Sequence, residues 1–218
     1  ITDLYPFFPN PEDARGEPRG MDEHLPWTHG FGIAPSNPIE PDFEEPVRFL
    51  EICRDLGVFM ANLTIGSPYY CPHLQRPAAF PPSDGYLPPR DPFLEVARHL
   101  RTVRTMRGLV PGLPVVGSGY SYLQAWLPHV AEFEVGRGHV DMVGLGRSML
   151  SYPGLPADVV AGRPLVKKLL CRTFSDCTTA PRNGMISGCY PLDPHYKSMP
   201  QAAELRVLRK EASRTKNS

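Results

Sequence analysis

The chain has 218 residues, one large domain or two small ones on size alone. Its 23 lysines and arginines balance 23 aspartates and glutamates, and a chain of zero net charge is not a general electrostatic binder of nucleic acid. No apolar run approaches the ~18–20 residues of a membrane span, and Ile1-Thr2-Asp3-Leu4 opens no basic-then-apolar leader, so neither an anchor nor a secretory signal is expected.

Residues 1–45 read as loop, with Pro6-Phe7-Phe8-Pro9-Asn10-Pro11 and then Arg15 to Gly20. The 27 prolines are more than twice the usual ~5%. They fall between periodic apolar segments rather than in tracts, so they mark rigid connections and not low complexity. From Glu45 a helix is expected, with Pro46 in its first turn, Val47, Leu50 and Cys53 at helical spacing, and Leu56-Gly57 as its end. Val58–Leu63 reads as a short buried strand, and a long loop follows from Gly66 to Pro92. Asp91-Pro92 starts a second helix whose apolar face is Leu94, Val96, Ala97, Leu100, Val103 and Met106. Leu113–Gly117 is a second strand, Leu123–Phe133 a third helix, Val140–Leu145 a third strand, and Leu155–Leu170 a fourth helix. Ala202, Leu205 and Leu208 predict a helix at 201–210.

Short apolar strands separated by crossover helices are the grammar of a parallel sheet. Doubly wound sheets and eight-stranded barrels share it, and local periodicity does not separate them. In both, ligands gather at the C-terminal strand ends. The second strand runs into Gly117-Ser118-Gly119-Tyr120-Ser121 and the third into Gly144-Leu145-Gly146-Arg147-Ser148. Glycines let backbone N–H groups approach an anion, and Arg147 adds a fork of donors suited to phosphate oxygens. Either glycine turn alone reads equally as a tight turn. The two together, with Arg147, point to phosphate. No Gly-x-Gly-x-x-Gly nucleotide fingerprint is present, because residue 122 is Tyr122.

Pro114-Val-Val-Gly-Ser-Gly119, Val140-Asp-Met-Val-Gly-Leu-Gly-Arg147 and Tyr152-Pro-Gly-Leu-Pro156 resemble the old yellow enzyme family, FMN-dependent NADH:flavin oxidoreductases on a (β/α)8 TIM barrel. The resemblance covers about residues 58–170, with weaker support to 195. It implies an α/β fold made of barrel strands six to eight and their helices, with Ile1-Thr2-Asp3 as the tail of strand five. It divides the chain into a loop-rich 1–45, a partial barrel at 46–170 and a cysteine-containing segment with a C-terminal helix at 171–218. It implies that Gly117, Ser118, Gly119 and Tyr120 hold the FMN phosphate, completed by Gly146 and Arg147. NAD(P)H would then be the co-substrate, and a small molecule such as an activated alkene the hydride acceptor. The catalytic His/Asn or His/His pair of the family has no counterpart here and is expected upstream of Ile1. The missing N-terminal half of the barrel is therefore an expected partner, and the isolated chain an inactive one.

Five cysteines, an odd number, do not suggest a secreted disulfide scaffold, and a cytoplasmic location is expected. Cys171, Cys177 and Cys189 resemble the iron–sulfur segment of the dienoyl-CoA reductase and trimethylamine dehydrogenase branch, which holds a [4Fe–4S] cluster on four thiolates. Phe174 stands where the second thiolate belongs, and phenylalanine cannot ligate iron. Three readings stay open: a cluster with Asp176 or His195 as fourth ligand, zinc on the three cysteines and His195, or ordinary buried thiols.

The segment from Asn62 to Tyr70 sits where the family lines its active-site mouth. Tyr69, Tyr70, His73 and Arg76 are candidates to touch flavin or substrate, against the plainer reading of a loop anchored by aromatics. His99 is expected to be solvated or capping on its helix, and the basic tail from Arg206 to Lys216 is weak evidence for nucleic acid on a chain of zero net charge. Two alternatives stand beside the flavoenzyme: a barrel enzyme that binds another phosphorylated ligand, and a non-catalytic metal- or partner-binding module around 171–195.

Overall fold

A computed structural model describes residues 1–2, 5–19, 22–28 and 30–215. Asp3, Gly20 and Lys216, which fall within expectations above, lie outside the described residues. The first 45 residues are not all loop. β1 (Phe7–Pro9) pairs antiparallel with β2 (Gly16–Pro18), and β3 (Ile33–Ala34) with β4 (Asn37–Pro41). These strands are short and interrupted by prolines, so they show no legible two-residue alternation. What fixes them is long-range: the Gly16 N–H donates to Leu87 O at 2.9 Å, and Tyr5 and Ile33 bury beside Phe7 and Trp27.

α1 (Glu44–Asp55) begins with Glu44 and Glu45 at the positive end of its dipole and stops at Gly57, whose φ of +81° suits a helix terminus. β5 (Ala61–Leu63), a single turn α2 (Pro72–Gln75) and α3 (Pro92–Leu109) follow. The Asp91 carboxylate caps α3 by accepting from Phe93 N–H at 2.8 Å. β6 (Val115–Gly117) leads to a 3₁₀ segment at Tyr120–Trp126, then to α4 (Leu127–Gly136) and β7 (Met142–Val143). The remaining elements are α5 (Ser148–Ser151), α6 (Leu155–Val160), α7 (Asp176–Arg182), α8 (Pro194–Ser198) and α9 (Gln201–Thr215).

β5, β6 and β7 form a parallel sheet in that order, with Asn62 opposite Val116 and Gly117 opposite both Leu63 and Val143. The chain is thus a mixed α/β fold around a small parallel three-strand sheet, and no closed barrel forms among the described residues. All three strands are shorter than the apolar runs that announce them. At the start of β7 a side chain takes over from the ladder: the Asp141 carboxylate accepts from Val115 N–H at 2.7 Å and from Arg107 at 2.8 Å. Those contacts, Arg107 first, hold the Asp141 carboxyl below its ordinary value.

Two helices differ from expectation for reasons of proline and glycine. The helix expected at 123–133 starts as α4 at Leu127, because Pro128 fits only a first turn, and the residues before it form the 3₁₀ segment. The helix expected at 155–170 ends as α6 at Val160, since Gly162 takes φ +63° and Pro164 follows two residues later.

α1 and α3 pack on the sheet through Leu50, Leu63, Val103, Met106, Val110 and Val115. A second cluster, with Val96, Leu123, Tyr152 and Leu155, joins α3 to the segments after β6 and β7. α9 docks on Ala180 of α7 through Ala202, Leu205 and the partly buried Leu208, the stripe expected from its spacing. No helix among the described residues is long and apolar enough to cross a membrane. Met106 is fully buried in the sheet-facing cluster. Met106→Ala is expected to cost ~2–5 kcal/mol, read as a lower urea midpoint at unchanged m-value.

Candidate functional site

The turn after β6 is shaped by what lies beneath it. A Cβ on Gly117 would come within 2.9 Å of Val140 Cγ1, so glycine there allows close packing behind the sheet. Gly119 takes φ +93°, and a Cβ on it would stand 2.8 Å from His99 Nδ1. His99 is therefore neither solvated nor a cap. It is wholly buried, because its position three residues after Val96 and four before Val103 puts it on the inner stripe of α3. Its Nε2 accepts from Ile65 N–H at 3.4 Å, and its Nδ1 donates to Leu74 O at 3.3 Å. The ring thus ties α3 to the loop after β5 and to α2. Burial pulls its pKa down to about 4.

Above this platform, at the C-terminal ends of the three strands, lies an open cavity of about 450 Å³. β5 contributes Asn62 and, just past its end, Thr64. The turn after β6 contributes Ser118 and Gly119, and the turn after β7 contributes Gly146 and Arg147. Ser118 Oγ–H donates to Asn62 Oδ1 at 2.6 Å and fixes the lip between neighbouring strands. A Cβ on Gly146 would meet nothing within 4 Å, so packing within the chain does not demand glycine there. The bare backbone at Gly146 leaves room for a ligand to come close.

Four of the six residues expected at the phosphate, Ser118, Gly119, Gly146 and Arg147, share this wall. Gly117 lies within the sheet, and the Tyr120 side chain is buried behind the wall in the cluster with Val96 and Tyr152. Among the described residues the Tyr120 hydroxyl has no hydrogen-bond partner, and burial pushes its pKa up.

Of the residues expected at the mouth, Arg76 reaches the cavity, but Tyr69 and Tyr70 do not line it. Tyr69 is 85% exposed and Tyr70 half exposed. His73 is buried against Phe7, with its Nδ1 2.7 Å from Tyr86 Oη. Burial, reinforced by Arg98 and Arg90, lowers its pKa to about 3.

Two wall residues escape sequence reasoning. Gln75 sits in the single-turn α2 and carries a buried Oε1 with no partner among the described residues. Ser121 accepts from Ser148 Oγ–H at 3.0 Å. Their one signal in the sequence is adjacency to Arg76 and to the Gly117–Tyr120 turn.

Among the described residues the cavity wall carries two guanidinium groups and no carboxylate. Arg147 donates from Nη2 to Pro77 O at 3.0 Å, and burial lowers its pKa. Arg76 donates from Nη1 to Thr178 Oγ1 at 2.8 Å. Its pKa is lowered first by burial and then by repulsion from Arg147 and Arg182.

An FMN phosphate fits these residues. Two cations without acid partners, an open glycine backbone and a lip of hydroxyl and amide groups suit a dianion.

The cysteine segment does not fit a [4Fe–4S] cluster as it is placed. Cys171, Cys177 and Cys189 border one cavity together with Arg147, but its volume is about 20 Å³, room for roughly one water. Phe174 fills the neighbouring space, stacked on Phe80 at 5.4 Å with Arg209 over its face at 5.5 Å. All five cysteines are free thiols, and burial raises Cys177 and takes Cys189 to about 11. Among the described residues no group of three or more His, Cys, Asp or Glu is placed to hold a metal ion.

No family model, curated protein or solved structure matches this chain.

Proposed function

We propose that this chain is the phosphate-holding part of an FMN-dependent NAD(P)H oxidoreductase, the last three βα units of a (β/α)8 barrel. The observation that carries the reading is the convergence of Ser118, Gly119, Gly146 and Arg147, from two separate turns, on one cavity at the strand ends. Parallel strands with a phosphate site after the last two of them are the barrel pattern. Bound FMN would supply hydride transfer between NAD(P)H and a small-molecule acceptor such as an activated alkene.

The chain's own residues do something simpler. Arg147, steadied by Pro77 O, neutralises the phosphate, while the Ser118–Asn62 hydrogen bond holds the opposite lip in place. The groups that hold and protonate the acceptor belong, on this reading, to barrel strands that these 218 residues do not include. Exposed apolar residues on α1 and just after it, Phe49, Ile52, Leu56 and Phe59, suit a face completed by further protein.

The test is FMN binding followed by quenching of flavin fluorescence. Among the described residues Arg147 has no carboxylate partner to strand, so Arg147→Ala should keep the native circular dichroism. Hydrogen bonds to charged groups, at about 1.5–3 kcal/mol each, predict an affinity loss of ten- to a hundredfold. Unchanged FMN affinity in the folded variant would overturn the phosphate role. Binding of inorganic phosphate without flavin would instead favour a barrel enzyme for another phosphorylated ligand.

A further inference from the structure

The strand-end cavity is built for more negative charge than one arginine neutralises. Arg76 enters it from the end of α2, far in sequence from Arg147, and the two side chains share the same wall. Each makes its hydrogen bond to a neutral acceptor, Arg76 to Thr178 Oγ1 and Arg147 to Pro77 O. Among the described residues neither forms a salt bridge, although Arg182 close by pairs with Asp84 at 2.5 Å. Nearby guanidinium groups repel, and partly buried cations without counter-charges are costly unless something else supplies them. The neighbouring cavity of about 30 Å³, bordered by both arginines and by Arg182, is too small to admit more than about a water. Room for a counter-charge lies on the open side, beside Arg76, Arg147 and the bare backbone at Gly146.

We infer that Arg76 and Arg147 together hold a phosphomonoester dianion at this wall, which makes Arg76 a specificity-determining residue for phosphorylated over unphosphorylated ligand. The inference deepens the flavin reading and rests on it for the identity of the ligand, but the two-cation grip itself requires only a phosphate. With Nη1 committed to Thr178, Arg76 keeps its other N–H groups to donate, and Thr178 fixes the direction in which they point. The role differs from contact with the flavin ring or the hydride acceptor, which the family resemblance allows for this residue.

The experiment titrates three probes into the full chain: FMN, riboflavin and inorganic phosphate. Wild type should bind FMN at least tenfold more tightly than riboflavin. Arg76→Gln should lose about tenfold in affinity for FMN and for inorganic phosphate, leave riboflavin unchanged, and flatten the salt dependence of FMN binding. Arg76→Lys, which keeps the charge but not the fork, should recover part of the loss, and this distinguishes an electrostatic grip from a packing defect. A folded Arg76→Gln with wild-type affinity for FMN and phosphate would overturn the inference, as would equal wild-type affinities for FMN and riboflavin. Wild type that binds phosphate in an Arg76-dependent way but takes no flavin would uphold the two-arginine grip and overturn the flavin reading alone.

Discussion

Gly119→Ala is expected to cause the largest loss of any single substitution at the strand-end cavity. Two separate penalties coincide there. The backbone sits at φ +93°, where an L side chain is strained, and the new methyl would stand 2.8 Å from the Nδ1 of a wholly buried imidazole. The strain alone is worth ~1–3 kcal/mol. His99 cannot retreat, because its two ring nitrogens are engaged with Ile65 and Leu74. Overpacking of that kind adds another ~1–3 kcal/mol. The sum is a large share of the ~5–15 kcal/mol that holds a typical domain together, so Gly119→Ala should show a strongly lowered urea midpoint and no FMN binding. A second substitution, His99→Ala, removes the clash but not the backbone strain. The double variant should therefore be more stable than additivity of the two single variants predicts. Strict additivity would show that the methyl and the imidazole do not meet.

The second large effect is acid sensitivity. His73 and His99 are neutral in the folded chain, with pKa values near 3 and 4 against an ordinary value of 6.5. As pH falls below 6.5 the unfolded chain takes up protons at both sites, while the folded chain does not until about pH 4 at His99 and pH 3 at His73. The unfolded state thus binds more protons over that window, and the contribution of the two histidines to stability declines steadily with acidification before levelling near pH 3. Each tenfold difference in proton affinity between the folded and unfolded chain is worth ~1.4 kcal/mol, so each histidine accounts for a few kcal/mol. Asp141, held below its ordinary value by Arg107, adds its own loss as pH falls from about 5 through the ordinary aspartate value near 4. Urea midpoints between pH 7 and 5 therefore carry the loss from the two histidines, opposed in part by Asp176, whose carboxyl burial raises so that the folded chain takes up its proton first. His99→Gln and His73→Gln should each flatten that slope even where they lower the midpoint at pH 7. An unaltered slope in both would mean that neither ring is kept neutral by burial.

What the sequence discloses of this architecture follows the strength of its periodic signals. α1, α3 and α9 are legible because their apolar residues recur at helical spacing over ten residues or more. The three parallel strands are found as apolar runs, but their ends are not, since side-chain contacts such as Asp141 to Val115 N–H replace ladder bonds. The hairpins within residues 1–45 go unseen because their register comes from partners far along the chain, as between Gly16 and Leu87. At the site, Ser118, Gly119, Gly146 and Arg147 are visible as glycine turns that follow strands. His99 is misjudged from residue type when its spacing from Val96 and Val103 already places it inside. Gln75 belongs to a single helical turn, too short to carry a pattern, and only the folding of α2 against α3 brings it to the wall.

The cavity wall is drawn from three stretches, 62–76, 118–121 and 144–147, of which none encloses the space alone. An unfolded chain consequently offers an anion no comparable seat, and occupancy must be linked to cohesion. A phosphate ligand present at a hundred times its dissociation constant would add about 2.7 kcal/mol to the free energy of unfolding. Saturation would then couple Asn62, Ser118 and Arg147 through one shared guest, so that strand-to-strand docking and ligand retention fail together on denaturation.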